Sequence, residues 1–266
     1  MTTPEQVGPV GPAEPAAQLD DHALAAHLAA TAGDLLLELR AALARGADPA
    51  QVRRDGDRGS HELLMALLRE LRPQDAVLSE EGADDPQRRL GAERVWIVDP
   101  LDGTREFGEP ERDDWAVHVA LVEDGRLTVG AVALPAQGVT LSTASPPALP
   151  ALPAPGVPPR LVVSRTRPPA FTDRVRAAVG GQLVAMGSAG AKAMAVVLGT
   201  AEVYAHAGGQ YEWDSAAPVA VAAAAGLHVS RMDGSPLRYN QRDPYLPDVL
   251  VCQPSLAEVV MAAAEA

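Results

Sequence analysis

The sequence predicts a layered α/β protein in two halves: an N-terminal half built on an antiparallel sheet, and a C-terminal half of alternating strands and helices. Three observations carry this. Leucines recur at helical spacing near the start, as Leu24, Leu28, Leu35, Leu36 and Leu39, and again as Leu63, Leu64, Leu67, Leu68 and Leu71. The apolar pattern then shortens to strand-length runs. A stretch that is nearly half proline, SPPALPALPAPGVPP at 145–159, separates the two regimes. Such a segment can neither continue a helix nor donate to a sheet ladder, so it reads as a surface loop.

In chain order, residues 1–18 are rich in Pro, Glu and Gln and read as a disordered tail. Asp20 and Asp21 offer an N-cap for a helix over 21–45. The charged, glycine-rich GADPAQVRRDGDRG that follows reads as a mobile loop over 46–60, leading into a second helix. Residues 75–79 and 94–99 read as strands. WAVHVALV and LTVGAVAL flank Glu123-Asp124-Gly125, a hairpin signal. The N-terminal half thus runs over 19–144. The C-terminal half, 160–266, reads as strand LVVS, helix 169–179, strand QLVAM, helix 190–198, strand AEVYAH, helix 214–226, strands LHVS and DVLVCQ, and a last helix over 255–265.

Composition narrows the function. The 266 residues are ample for a sizeable core. Aromatics are only 3%, so that core must be built from Ala, Val and Leu in close contact. The net charge of −13 opposes binding to nucleic acid or an anionic membrane. Bound divalent cations would reconcile such a surface with an anionic substrate. The single cysteine, Cys252, excludes an internal disulfide, and its strand-like setting reads as structural. No apolar run is long enough to span a bilayer, and residues 1–18 lack the apolar centre of a leader, so a cytoplasmic protein is expected.

Four segments carry chemistry. In Val98-Asp99-Pro100-Leu101-Asp102-Gly103-Thr104 an apolar strand runs into two carboxylates, a pattern suited to hard cations, which take oxygen ligands. An ordinary Asp-Pro turn would read the same way. Ser79-Glu80-Glu81-Gly82 after a strand, Asp214 at a helix start in Trp213-Asp214-Ser215-Ala216-Ala217, and Asp55-Gly56-Asp57-Arg58-Gly59 each have an equally plain reading as solvated loop or helix cap.

Taken together and in this order, the motifs resemble those of the inositol monophosphatase family of lithium-sensitive, Mg²⁺-dependent phosphatases. The resemblance implies the layered αβαβα sandwich of the sugar phosphatases. It also implies two or three Mg²⁺ ions, with Li⁺ inhibitory. Glu80, Asp99 and the Leu101 carbonyl would hold the first ion, Asp99, Asp102 and Asp214 the second, and Glu80 with Asp57 a third through water. A metal-activated water would attack phosphorus, oriented by Thr104 and Glu80, with Asp57 accepting the threonine proton. The backbone of Gly103 and Thr104 would cradle phosphate. The family's Thr shortly before Asp57 is missing here: the stretch reads Gln51-Val52-Arg53-Arg54.

Within the family, Arg105-Glu106-Phe107 after the Asp-Gly-Thr resembles the CysQ-type branch, which removes the 3′-phosphate of 3′-phosphoadenosine 5′-phosphate (PAP). Gly187-Ser188-Ala189-Gly190-Ala191-Lys192 resembles the same branch. The implied substrate contacts are Asp102, Gly103, Thr104, Arg105, Ser188, Lys192 and Asp214. Lys192, the only lysine, is expected to meet a substrate phosphate. Inositol-specific members carry a Glu seven residues before the Asp214 position, where this chain has Ala207. PAP, and the related sulfated nucleotide PAPS, is therefore the expected substrate, in sulfur assimilation. Inositol phosphate and fructose 1,6-bisphosphate remain alternatives, as does an inactive nucleotide-sensing relative, which would be expected to have lost ligands that are all present here. Neither nucleic acid nor membrane is an expected partner, and a homodimer stays open. The six histidines are dispersed, and no metal-binding spacing links them, so all are expected at the surface or in satisfied core positions.

Overall fold

Asp20 closes the first turn of helix α1, Asp21–Arg40, by accepting the Ala23 N–H at 2.8 Å. In this computed structural model, which describes residues 16–265, that helix opens an αβαβα sandwich. The expected tail over 1–18 falls mostly outside the described residues, with Ala16–Gln18 forming a single 3₁₀ turn. The first helix ends at Arg40, short of the expected 45, and Leu43–Arg45 makes another 3₁₀ turn.

The remaining elements follow in order: α2 (Pro49–Leu71), β1 (Ala76–Ser79), α3 (Pro86–Leu90), β2 (Arg94–Asp102), α4 (Thr104–Phe107), β3 (Ala116–Glu123), β4 (Arg126–Leu134) and β5 (Val139–Ser142). After the proline-rich stretch, which holds no helix or strand, come β6 (Arg160–Ser164), α5 (Thr172–Val179), β7 (Gln182–Met186), α6 (Ala189–Val197), β8 (Val203–Tyr211), α7 (Glu212–Ala224), β9 (His228–Ser230), β10 (Tyr245–Cys252) and α8 (Ala257–Glu265).

The two sheets run β1-β2-β3-β4-β5 and β7-β6-β8-β10-β9. The first sheet is not wholly antiparallel, as expected from sequence: β1 lies parallel to β2, and only the β2–β5 pairs are antiparallel. The parallel edge places the C-terminal ends of β1 and β2 side by side, which is what brings Glu80 beside Asp99.

Strand alternation divides the core into three layers. Trp96 and Val98 face α1 and α2, whereas Val95 and Ile97 face the central layer of α6 and α7. In the second sheet Val249 and Val251 face that same central layer, and Leu250 and Cys252 face α5 and α8. The scarcity of aromatics is met by close approach: a Cβ on Gly130 of β4 would sit 2.5 Å from the Ala220 Cβ of α7.

Of the expected loop over 46–60, residues 49–60 are instead the first half of α2, a correction. Asp48 caps the helix, and Pro49 occupies its first turn, where a missing N–H costs nothing. Val52, Gly56, Ser60, Leu64 and Leu68 form a continuous buried stripe. The exposed face is laced by Gln51, Arg54, Asp55 and Arg58 hydrogen bonds at helical spacing. Two glycines and a mostly polar stripe hid this periodicity in the sequence.

Candidate metal and phosphate site

The site sits at the C-terminal end of β2. Residues three apart on a regular strand face opposite sides. Here the register with β3 slips by one residue between Asp99, opposite His118, and Asp102, opposite Ala116. The bulge turns both carboxylates to one face. Strand β2 therefore continues to Asp102, rather than ending in a turn at Asp99. Leu101 donates its backbone N–H to Asp99 Oδ1 at 3.0 Å, which fixes the first carboxylate within the bulge. Gly103 follows at φ +86°, a left-handed conformation that favours glycine, and starts the single turn of α4.

Asp214 arrives from the second half of the chain, on the first turn of α7. One of its oxygens accepts the Tyr211 N–H at 2.6 Å, capping the helix, so the capping and ligand readings of this residue are compatible. Carboxylate oxygens of Asp99, Asp102 and Asp214 lie within 4.8 Å of one another. Glu80 follows β1, its backbone N–H bonded to Val98 O at 3.2 Å and its carboxyl close enough to Asp99 for each to shift the other.

The electrostatics of this cluster are unbalanced. Burial, then the charges of Glu80, Asp102 and Asp214, push Asp99 well above the usual carboxylate range. Glu80, although exposed as a whole residue, is raised to about 7, by loss of solvent around its carboxyl and then by Asp214, Asp102 and Glu81. Asp214 is raised to about 6, by burial and by Asp102. Asp102 goes the other way. Burial acts to raise it, but His118, the Ser188 hydroxyl and the Lys192 charge more than offset this and hold it at about 2.

His118 is a buried residue beside the cluster that sequence reasoning did not single out: it lies in the core, but its Nε2 is not satisfied there by a hydrogen bond. It is 1% exposed, with Nδ1 3.0 Å from the Trp213 carbonyl and Nε2 3.3 Å from Asp102 Oδ2. Burial alone would lower its pKa, but Asp102 raises it overall. With Nδ1 facing a carbonyl and Nε2 facing a carboxylate, the surroundings of the ring favour its protonated form. The available signal was a single polar residue within the apolar run WAVHVALV.

Thr104 Oγ1 lies 3.0 Å from Asp57 Oδ1 and 3.2 Å from the Leu101 carbonyl. Asp57, presented by α2 rather than by a loop, is raised to about 6, chiefly by burial. Asp102, Gly103, Thr104, Arg105, Ser188, Lys192 and Asp214 all line one cleft of about 780 Å³. Two of these do structural work as well. Ser188 gives its hydroxyl to Asp102 Oδ2, which also accepts the Gly190 N–H at 2.6 Å. Lys192 is 5% exposed; it donates to the carbonyls of Gly187 and Ser188 and lies over the Tyr204 ring. Arg105 is exposed at the cleft wall. Ala207 offers no carboxylate between His206 and Gly208, which do line the cleft.

An all-oxygen set of Glu80, Asp99, Asp102, Asp214 and the Leu101 carbonyl fits a hard divalent cation. The upward shifts of three of its carboxylates are what a cation would relieve.

The pattern of the inositol monophosphatase family matches residues 20–147 and 159–266, leaving out most of the proline-rich stretch. The chain is 53% identical over 257 residues to a 3′-phosphoadenosine 5′-phosphate phosphatase of Mycobacterium leprae (strain TN), covering 92% of this chain and 93% of that one. It is 36% identical over 201 residues to the 3′(2′),5′-bisphosphate nucleotidase CysQ of Escherichia coli (strain K12), covering 71% and 80% respectively. Among solved structures, CysQ from Bacteroides thetaiotaomicron superposes with a TM-score of 0.69 at 28% identity, covering 86% of this chain and 95% of that one. Inositol monophosphatase II from Staphylococcus aureus MSSA476, at 21% identity and a TM-score of 0.73 over 90% and 91%, shares the fold. No helix among the described residues is long and apolar enough to cross a membrane.

Proposed function

The chain belongs to the inositol monophosphatase family, and on that premise we propose that it is a Mg²⁺-dependent phosphatase that removes the 3′-phosphate of PAP, and of PAPS, in sulfur assimilation. The observation that carries this reading is the buried, under-neutralised carboxylate cluster of Asp99, Asp102 and Asp214, with Glu80 beside it, opening onto a cleft large enough for a nucleotide. The 53% identity to a PAP phosphatase along nearly the whole chain supports the substrate.

Two or three Mg²⁺ ions held by Glu80, Asp99, Leu101, Asp102 and Asp214 would neutralise phosphoryl charge and lower the pKa of a water. The chain's own groups do the rest. Thr104 is pinned between Asp57 and the Leu101 carbonyl, which orients its hydroxyl oxygen to receive a proton from the attacking water. Asp57, with its carboxyl raised to about 6, can take the threonine proton in turn. Asp214 sits at the N-terminus of α7, so the positive end of that helix also faces the developing negative charge. Backbone N–H groups of Gly103 and Thr104 hold the phosphate, and the reaction is an in-line displacement without a covalent enzyme intermediate.

The test is phosphate release from PAP, inositol 1-phosphate and fructose 1,6-bisphosphate, each with Mg²⁺. We expect PAP to lead by about a hundredfold in kcat/KM, worth about 2.7 kcal/mol in transition-state binding. Parity with a sugar phosphate would overturn the nucleotide assignment while sparing the phosphatase one. Li⁺ is expected to inhibit at millimolar concentration, and undiminished turnover in the same assay would contradict it.

A further inference from the structure

We propose that Arg89 is a positioning residue: it clasps the loop carrying Glu80 to the start of α7, so that carboxylates from the two halves of the chain face the same ions. The inference rests on the reading of Glu80 and Asp214 as metal ligands.

Glu80 and Asp214 come from opposite halves of the chain, and two like-charged carboxylates brought to one site repel one another. Most of the residues between Glu80 and Pro86 are exposed, so that loop has little packing of its own to resist the repulsion. Arg89, on the five-residue α3 that ends the loop, is by contrast 1% exposed. A buried arginine needs partners for a fork of five donors. It finds them on both sides of the divide.

On its own side, Nε and Nη2 donate to the two oxygens of Asp84, both at 2.9 Å. Across the divide, Nη1 donates to Asn240 Oδ1 at 2.7 Å and to the Gln241 carbonyl at 2.8 Å. The backbone N–H groups of Asn240 and Gln241 then donate to the two oxygens of Glu212, at 2.6 and 2.7 Å. Glu212 is 1% exposed and is the first residue of α7. Its own N–H is tied to the Pro244 carbonyl at 2.8 Å. An unbroken chain of hydrogen bonds therefore links the loop just after Glu80 to the turn just before Asp214.

Arg89 and Glu212 are each 1% exposed and neither lines the cleft, so both are placed to act through their neighbours. Asn240 adopts φ +58°, a left-handed conformation sustained by bonds on its side chain and its backbone at once. The planar guanidinium is essential to this arrangement. It holds a bidentate carboxylate on one edge and two acceptors on another, a geometry that a lysine ammonium does not reproduce.

The experiment compares Arg89→Gln with Arg160→Gln. Arg160 is bonded to Glu202, which is also 1% exposed, and it too lies off the cleft, so its loss controls for simple destabilisation. Binding of Mg²⁺ alone is measured by calorimetry, alongside Tm and steady-state kinetics. For Arg89→Gln we expect a Mg²⁺ Kd raised about tenfold or more, with kcat recovering to within about threefold of wild type at saturating Mg²⁺. For Arg160→Gln we expect a lower Tm and a Mg²⁺ Kd within about twofold of wild type. An Arg89→Gln protein that melts earlier but binds Mg²⁺ as wild type does would overturn the clasp. Should that variant fail to fold, Asn240→Ala removes a single link and is expected to weaken Mg²⁺ binding by a smaller factor; an unchanged Kd again refutes the proposal. Wild-type protein that binds no Mg²⁺ would instead refute the ligand reading itself, and the clasp's role with it.

Discussion

Two acidic clusters lie at opposite ends of β2, and they are built on contrary principles. At its start, Asp21, Asp75 and Glu123 surround Arg94, and Arg72 adds a second cation on Asp21 at 2.8 Å. Trp96 Nε1 completes Asp75 at 2.8 Å. There, despite partial burial, Arg72 and Arg94 hold the Asp21 carboxyl below its ordinary value, and Asp75 and Asp21 in turn raise Arg94 above its own. At the far end, Glu80, Asp99, Asp102 and Asp214 face only His118 and the more distant Lys192, and three of the four carboxyls are driven upward. The first cluster is satisfied within the chain and serves stability. The second lacks enough cation of its own among the described residues, a deficit that a bound divalent cation would fill.

The contrast can be tested by removing charge from each end. Asp99→Asn should reduce kcat/KM by about 10³-fold or more, since several kcal/mol of metal-borne stabilisation are lost. Its metal-free Tm should stay level or rise, because Asn reproduces the neutral, protonated form that the raised Asp99 favours without metal, while its Oδ1 still accepts from Leu101. A fall of many degrees would mean that the charge there is structural. Thr104→Ala should lower kcat by about 10²-fold with little change in KM, while Thr104→Ser keeps most of the activity; equal losses in the two would contradict a role for the hydroxyl. At the other end, Arg94→Met should cost about 2 kcal/mol of stability, moderated by partial exposure, yet change kcat/KM by less than about twofold. Urea unfolding and steady-state kinetics separate these outcomes.

The pH dependence of stability sharpens the same contrast, with a smaller effect. A carboxyl raised in the folded state stabilises most below its unfolded pKa. For Glu80 that contribution is complete below about 4.5 and is lost as pH rises through about 7. The metal-free protein should therefore lose Tm between those values, and excess Mg²⁺ should remove the decline. Asp21 runs the other way: its lowered pKa gives stability above about 3.8 that is lost on further acidification.

The fold and the carboxylates of the candidate site were more legible in the sequence than the supports around them. Strands announced themselves by apolar runs, and Asp99-Pro100-Leu101-Asp102 by two carboxylates at a strand end. What sequence hid depended on contacts between distant segments. The bulge that aligns Asp99 with Asp102 exists only in register with β3. His118 became part of the site because it lies opposite Asp99 on the neighbouring strand. Strand β5 went unread because its four residues carry half a buried face. The first half of α2 read as loop because its buried stripe there is Val52, Gly56 and Ser60, too small and polar to look like one. Ser188 and Lys192 line the cleft, but their bonds to Asp102 and to the Gly187–Ser188 backbone could not be seen in spacing alone.

The most direct test of the under-neutralised cluster is a calorimetric titration of Mg²⁺ at about pH 6 in buffers of different ionisation enthalpy, which counts protons released on binding. Glu80 at about 7, Asp214 at about 6 and a strongly raised Asp99 predict net release of a proton or more, diminishing above about pH 8. Binding that releases no protons at about pH 6 would mean that the carboxylates are already charged and balanced without metal, and would contradict the account.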